Sequence, residues 1–153
     1  MLAAAAPAAA APPTAGVLEP GTSLGGLRLG ATEAQVERAW GRAYGRCTGC
    51  PHETWYFNYY AFQPRGAGVE FRNGRAVAVF TLYQPAGWRT TRALALGEPS
   101  SRVRAVYPDL DRHECGDYYA LVQRRGGTLT AFYILDDRLW AFGLSRRGIP
   151  LCR

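Results

Sequence analysis

The chain has 153 residues, enough for one compact domain or for two small units that share a core. An apolar fraction of 48% with 12% aromatic residues can fill a core, which excludes wholesale disorder. The formal net charge of +6 would suit an anionic partner, but all 18 basic residues are scattered arginines, which favours a solvated basic surface over a nucleic-acid site.

The N-terminal segment 1–17 is predicted to be disordered or to be the remainder of a secretory signal. It opens with MLAAAAPAAAAPP, and the run Ala8–Ala11 offers the small-residue pattern of a signal cleavage site. No basic residue precedes that run, so a disordered Ala/Pro linker is the alternative. No later stretch reaches the roughly 18 apolar residues that a membrane-spanning helix needs.

Two pairs of similar stretches predict that the chain is built from two tandem units. LRLGATEAQVERAWG begins at Leu27, and LALGEPSSRVRAVYP begins at Leu94. RNGRAVAVF from Arg72 and LDDRLWAFG from Leu135 follow in the same order. The predicted boundaries place the two units at 18–88 and 89–153.

Each unit is expected to contain one short helix. In the first unit Thr32 suits the N-cap, Gln35 completes a capping box, and apolar residues recur at helical spacing from Val36. In the second unit Pro99 suits the first helical turn, and Pro108 ends the helix.

Three strand-like segments, rich in aromatic and β-branched residues, follow each predicted helix. They are Thr54–Phe62, Gly68–Arg72 and Arg75–Tyr83 in the first unit and Asp117–Arg124, Thr128–Leu135 and Arg138–Arg146 in the second. Asn73-Gly74 and Asp136-Asp137 indicate hairpins at the same place in each unit, and Gly126-Gly127 joins another strand pair. The predicted fold class is α+β, with two tandem units that each consist of a short helix followed by a three-stranded antiparallel meander.

Both faces of the predicted strands are partly apolar. In Arg75–Tyr83, strict alternation places Val77 and Val79 on one side and Ala78 and Phe80 on the other. Either the two sheets bury each other's second face, or one sheet presents an aromatic surface to a partner.

The four cysteines, an even number in an apparently exported chain, favour disulfides over free thiols. Of the three possible pairings we favour Cys47–Cys50 and Cys115–Cys152. Cys47 and Cys115 lie at equivalent places in the two units, and the second bond would tie down the C-terminal tail. The protein is therefore predicted to be secreted or extracytoplasmic.

Two enzymatic alternatives remain for the CxxC and its neighbours. A dithiol oxidoreductase needs the CxxC to open a helix, whereas Pro51 and a strand signal follow it here. A zinc enzyme usually pairs one CxxC with another, and only one is present. The side chains that could converge on zinc are Cys47, Cys50, His52, His113 and Cys115. No set of residues forms a catalytic constellation, so we predict no catalytic residue, metal or cofactor.

The stretches LGATEAQVERAWG, YFNYY and VEFRNGRAVAV are similar to the small helix-and-meander unit of exported bacterial proteins. That unit occurs singly in outer-membrane assembly lipoproteins of the SmpA/OmlA type and in tandem in the secreted β-lactamase-inhibitory proteins of actinomycetes. GDYYALV and FGLSRRG resemble segments of uncharacterised exported proteins of high-GC Gram-positive bacteria. The chain departs from the first type in having no N-terminal cysteine to acylate, and from the second in showing one clear helix per unit. The resemblance implies a non-enzymatic interaction module whose sheet face contacts a protein partner.

We therefore predict a secreted, non-enzymatic binding module. Tyr and Trp dominate interface energetics, so Tyr56, Tyr60 and Trp88 are the predicted binding residues. The alternatives are a zinc-dependent or CxxC dithiol enzyme, and a binder of an anionic polymer, either nucleic acid or cell wall, whose affinity would collapse with salt.

Overall fold

A computed structural model describes residues 12–58 and 66–153 of the chain. Its two helices are α1 Glu33–Trp40 and α2 Ser100–Val106. Its strands are β1 Gly16–Glu19, β2 Ser23–Leu24, β3 Tyr44–Arg46, β4 Glu53–Phe57, β5 Gly66–Arg72, β6 Arg75–Leu82, β7 Trp88–Thr90, β8 Asp111–Glu114, β9 Tyr119–Arg125, β10 Thr128–Leu135 and β11 Arg138–Arg146. Neither helix in these ranges is long and apolar enough to cross a membrane.

The prediction of two helix-and-meander units is wrong, because strands from both halves join in one sheet. This antiparallel sheet has eight strands in the order β3-β4-β5-β6-β11-β10-β9-β8. β6 and β11 are neighbours at its centre, with Leu144 opposite Val79. If the two halves formed separate sheets, β6 and β11 would each be an edge strand with a row of unpaired backbone groups. Pairing of β6 with β11 satisfies these groups and removes both edges. The fold is therefore mainly β rather than α+β.

A second sheet of three strands, in the order β2-β1-β7, uses segments that the sequence does not mark as strands. β1 pairs in parallel with β7, with Gly16 opposite Trp88. β1 begins inside the segment 1–17, which is predicted to be disordered or the remainder of a signal, and β7 lies at the predicted junction between units. Pairing supplies these two short segments with the backbone partners that neither has alone.

Local sequence signals are confirmed at α1 and at the hairpins. The Thr32 hydroxyl accepts a hydrogen bond from the Gln35 N–H at 3.2 Å, and the Gln35 side chain accepts one from the Thr32 N–H at 2.8 Å. Asn73-Gly74 connects β5 to β6, and Asp136-Asp137 connects β10 to β11. Gly126-Gly127 connects β9 to β10. These signals act over a few residues, so distant contacts do not disturb them.

Replacing Thr32 with alanine is expected to lower the free energy of unfolding by about 1 kcal/mol. The change removes the acceptor for the Gln35 N–H, which the helix itself cannot satisfy. Urea unfolding would measure the loss. Thr32→Ser keeps a hydroxyl and should retain most of the stability, so equal losses in the two variants would contradict the capping role.

The large sheet buries apolar side chains on both faces. The first face packs with α1, α2 and the small sheet, and Trp40 of α1 meets Trp88 of β7 at a ring-centroid distance of 6.1 Å. On the second face, Ile149 and Leu151 are buried against side chains of the sheet. We call residues 148–153 the C-terminal strap. Within residues 12–58 and 66–153, what covers part of the second face is thus a returning chain segment rather than another sheet.

A β-bulge in β6 alters the predicted faces. The register against β5 shifts between Glu70 and Phe71 and leaves Val77 as an extra residue. Val77 and Ala78 both join the second-face core, whereas Val79 joins the first. The prediction that Val77 and Val79 share a face is wrong, because the extra residue breaks strict alternation.

The large sheet ends in short outer strands. β3 spans three residues, and β8 spans four whose side chains are all exposed. β8 carries Asp111, Arg112, His113 and Glu114, so every side chain along this edge is charged or an imidazole. Arg112 is hydrogen-bonded to Glu114 along the strand.

Candidate functional site

A cavity of about 690 Å³ opens on the second face of the large sheet, between the C-terminal strap and the CxxC turn. We call it the strap cavity. Its lining combines aromatic rings with a small number of charged groups, which is the usual composition of a ligand site. Its aromatic and buried charged lining side chains include Tyr56, Glu70, Phe80, Tyr83, Trp140 and Arg153.

The cavity floor is shaped by glycine and aromatic residues that lie opposite one another on neighbouring strands. Tyr56 of β4 is paired with Gly68 of β5, and Gly68 is paired with Phe80 of β6. Phe80 is paired in turn with Gly143 of β11. A Cβ atom at Gly68 or at Gly143 would approach Phe80 to 2.7 Å. The two glycines therefore make room for the Phe80 side chain on this face.

Trp140 belongs to the second face because β11 carries a bulge. The register between β10 and β11 shifts between Tyr133 and Ile134, which leaves Trp140 as the extra residue. Its ring packs against Tyr83 and Tyr118 at centroid distances of 5.6 and 5.5 Å. Trp140 is only 8% exposed, and its indole Nε1 is buried without an acceptor in the described part of the chain.

A buried ion pair forms one wall of the cavity. Glu70 Oε2 lies 2.5 Å from Arg153 Nη1, and the two side chains are 9% and 11% exposed. The guanidinium carbon lies 4.4 Å from the Phe80 ring centroid, within the range of a cation–π contact. Arg153 Nε is buried and has no acceptor among residues 12–58 and 66–153. Glu70 and the Phe80 ring, both on the sheet, thus hold the guanidinium in place.

Two tyrosines fix the backbone of the strap. The Tyr118 hydroxyl donates to the Arg153 carbonyl oxygen and accepts from the Arg153 N–H, each at 2.6 Å. The Tyr133 hydroxyl donates to the Leu151 carbonyl oxygen at 2.6 Å. Burial raises the pKa of Tyr133, and the nearby positive charge of Arg153 offsets part of that rise. The net upward shift keeps the hydroxyl protonated, as a donor must be.

Both favoured disulfides are present, and no cysteine is free. In this oxidised form the sulfur atoms cannot act as thiolate ligands or nucleophiles. Cys115–Cys152 anchors the strap beside β8, and Cys47–Cys50 closes a short turn at the cavity wall.

The structure does not assemble the zinc set proposed from the sequence. Among the described residues, one group of three potential metal ligands has its ligand atoms within 4.8 Å of one another, and it consists of His113, Cys115 and Cys152. Its two sulfur atoms are bonded to each other. His52 instead contacts Arg72, with His52 Nε2 at 2.6 Å from Arg72 Nη2. Arginine can only donate, so this histidine nitrogen accepts.

The three predicted binding residues have different positions. Tyr56 is half-buried and lines the strap cavity, with its ring 6.4 Å from that of Phe80. Tyr60 lies outside the described residues. Trp88 is 1% exposed and belongs to the first-face core. The expectation that Trp88 is an exposed binding aromatic is wrong, because β7 pairs with β1 and packs its ring against α1.

Sequence reasoning missed most of the cavity. Glu70 stands between Val69 and Phe71, and a carboxylate within an apolar strand needs a buried partner. That signal identifies Glu70 as unusual. It does not identify the partner of Glu70, since the chain contains 18 arginines. Only the return path of the strap singles out Arg153.

No protein-family model and no curated protein matches the sequence. In fold the chain is similar to an extracellular protein containing an SCP domain from Bacillus anthracis, with 10% identity, a TM-score of 0.55, and coverage of 78% of this chain and 44% of that one. It is also similar to a DUF4309 family protein from Bacillus subtilis, with 17% identity, a TM-score of 0.54, and coverage of 76% and 79%.

At these identities the likeness establishes the fold, and the chain spans less than half the length of the Bacillus anthracis protein. The two disulfides are consistent with a secreted or extracytoplasmic location, because disulfides persist in oxidising compartments. The resemblance to the SmpA/OmlA unit and to the β-lactamase-inhibitory proteins stays a prediction.

Proposed function

We propose that the protein is an extracytoplasmic, non-enzymatic binding module that receives a segment of a protein partner in the strap cavity. The observation that carries this proposal is the aromatic lining of a cavity built on paired strands. Its volume of about 690 Å³ falls within the range of about 300–1,000 Å³ that ligand sites occupy. Tyrosine and tryptophan supply large contact areas at a low cost in side-chain entropy, which favours them in binding surfaces.

Tyr83 at the edge of the cavity is the residue best placed to meet a partner first. It is 50% exposed and lines the cavity beside Trp140. Its backbone has a φ of 56°, in the left-handed region that non-glycine residues rarely adopt. The N–H of Gln84, the next residue, donates to the Trp140 carbonyl oxygen at 2.6 Å and holds this conformation. Strained backbone of this kind is typical of functional sites.

Replacing Tyr83 with alanine is expected to weaken partner binding about tenfold while leaving the fold stable, as for an interface aromatic. The partner is unidentified, so peptides selected from a random displayed library against the native protein would serve as probes. Their affinities for the native and variant proteins would be compared by calorimetry. Val17→Ala is the matched control, since Val17 is 38% exposed and lies on β1, away from the cavity.

Selected peptides that bind the Tyr83→Ala variant as tightly as the native protein would show that the strap cavity is not the binding site. Failure to select any peptide would count against a peptide-binding function altogether.

A further inference from the structure

We propose that the ligand of the strap cavity carries a carboxylate beside an apolar group, and that Arg153 and Trp140 receive that carboxylate. This inference rests on the binding function proposed above and specifies its chemistry. The carboxylate could belong to a small organic acid or to a peptide, and both sources present the same group to the cavity.

The cavity wall has an excess of hydrogen-bond donors. Arg153 Nε and Trp140 Nε1 are buried donors without acceptors in the described part of the chain. The buried acceptor nearby, Glu70, is already engaged by Arg153. Leaving a buried donor unpaired costs about 1–3 kcal/mol, so a ligand that supplies acceptors gains affinity here. A carboxylate supplies two acceptor oxygens and no donor.

The Arg153 side chain is held in position before any ligand arrives. Its Nη1 is fixed by Glu70, its face lies over Phe80, and its backbone N–H and carbonyl are both bonded to the Tyr118 hydroxyl. With Nη1 engaged by Glu70, the guanidinium Nε is buried and has no acceptor among the described residues. Nε lies on the planar guanidinium edge that it shares with Nη2, and the spacing of the two donors on that edge matches the two oxygens of a carboxylate.

The rest of the lining fits the apolar part of such a ligand. Tyr56, Phe80 and Tyr83 provide rings around the cavity, so an aromatic group attached to the carboxylate would be stacked or buried among them. Glu70 does not oppose an anion, because Arg153 neutralises its charge. The net charge of +6 adds a long-range attraction for anions.

Four probes test the inference by calorimetry and NMR titration of the full chain. Phenylacetate is compared with the neutral 2-phenylethanol, and a short peptide ending in phenylalanine with a free carboxylate is compared with its C-terminal amide. We expect the carboxylate member of a pair to bind about tenfold or more tightly than its neutral member, as for charge-assisted hydrogen bonds. If the carboxylate is preferred in the phenylacetate pair but not in the peptide pair, the ligand is a small acid. If the carboxylate is preferred in the peptide pair, the ligand is a chain terminus.

Two conservative variants identify the residues responsible. Arg153→Lys keeps the positive charge but removes the paired donors, and Trp140→Phe keeps an aromatic ring but removes the N–H. Each should weaken carboxylate binding about three- to tenfold and leave binding of the neutral probes unchanged. Arg89→Lys is the control, since Arg89 is an exposed residue of β7 in the small sheet. A melting curve for each variant confirms that it is folded.

Equal affinity for the carboxylate and neutral probes, unaffected by either variant, would overturn the inference while leaving the binding function in place. Absence of binding by all four probes would also overturn it. The peptide selection described for Tyr83 decides separately whether the binding function itself survives.

Discussion

Breaking the Cys115–Cys152 disulfide is expected to lower the free energy of unfolding by about 4 kcal/mol. The bond joins residues 37 positions apart, so its loss restores much conformational freedom to the unfolded chain. The released strap also loses the packing of Ile149 and Leu151 against the second face. Urea unfolding of the Cys115→Ser/Cys152→Ser double variant would measure the change.

The second disulfide is the internal control. Cys47–Cys50 spans only 3 positions, and the same chain-entropy reasoning gives about 2 kcal/mol for it. The Cys47→Ser/Cys50→Ser variant should therefore remain clearly more stable than the Cys115→Ser/Cys152→Ser variant. A reversed order of stability would contradict the role assigned to the strap anchor.

Replacing Glu70 with alanine is expected to destabilise the protein by about 3–5 kcal/mol. The change leaves the Arg153 guanidinium, whose side chain is 11% exposed, buried without a counter-charge. Glu70 also lies on β5, well inside the sheet, where the surroundings cannot easily relax. Chemical denaturation of the variant at neutral pH gives the measurement.

A double variant tests whether the loss comes from the unpaired charge. Combining Glu70→Met with Arg153→Met replaces the ion pair with two apolar side chains, and such replacements in protein interiors are often neutral or stabilising. The double variant should therefore be more stable than Glu70→Ala alone. If it is less stable, the destabilisation reflects lost packing, and the electrostatic explanation fails.

The sequence predicts well those structural features that are determined by residues close to one another along the chain. The capping box of Thr32 and Gln35 involves residues three positions apart, and the Asn73-Gly74 hairpin joins strands that follow one another directly. The physical causes of these features lie within one or two turns of backbone. Each therefore formed where its residues predicted it.

What the sequence predicts poorly depends on contacts between distant segments. No local pattern shows that β6 pairs with β11, where Val79 lies opposite Leu144, 65 positions further along the chain. The sequence of a strand is the same whether its neighbour is its own hairpin partner or a distant strand. The bulges at Val77 and Trp140 are hidden for a related reason. Each adds one residue to a strand whose apolar pattern runs continuously through it, so strict alternation assigns the following side chains to the wrong face.

The candidate site is hard to predict because residue type does not reveal burial and because its residues come from distant parts of the chain. Tyr56 could be named from its residue type and lies in the cavity, whereas Trp88, named for the same reason, is in the core. Residue type alone cannot distinguish an aromatic that meets a partner from one that fills an interior. Arg153 belongs to the cavity only because the last residues fold back across a sheet formed earlier in the chain.

The composition of β8 bears on how the molecule behaves in concentrated solution. An outer strand offers its open backbone groups to any other chain, and stacking of such strands is the first step toward fibrils. Docking a second molecule along Asp111–Glu114 would bring carboxylates, a guanidinium and an imidazole into a dry interface, at a cost that backbone pairing alone does not offset. This rim of the sheet therefore discourages growth into filaments.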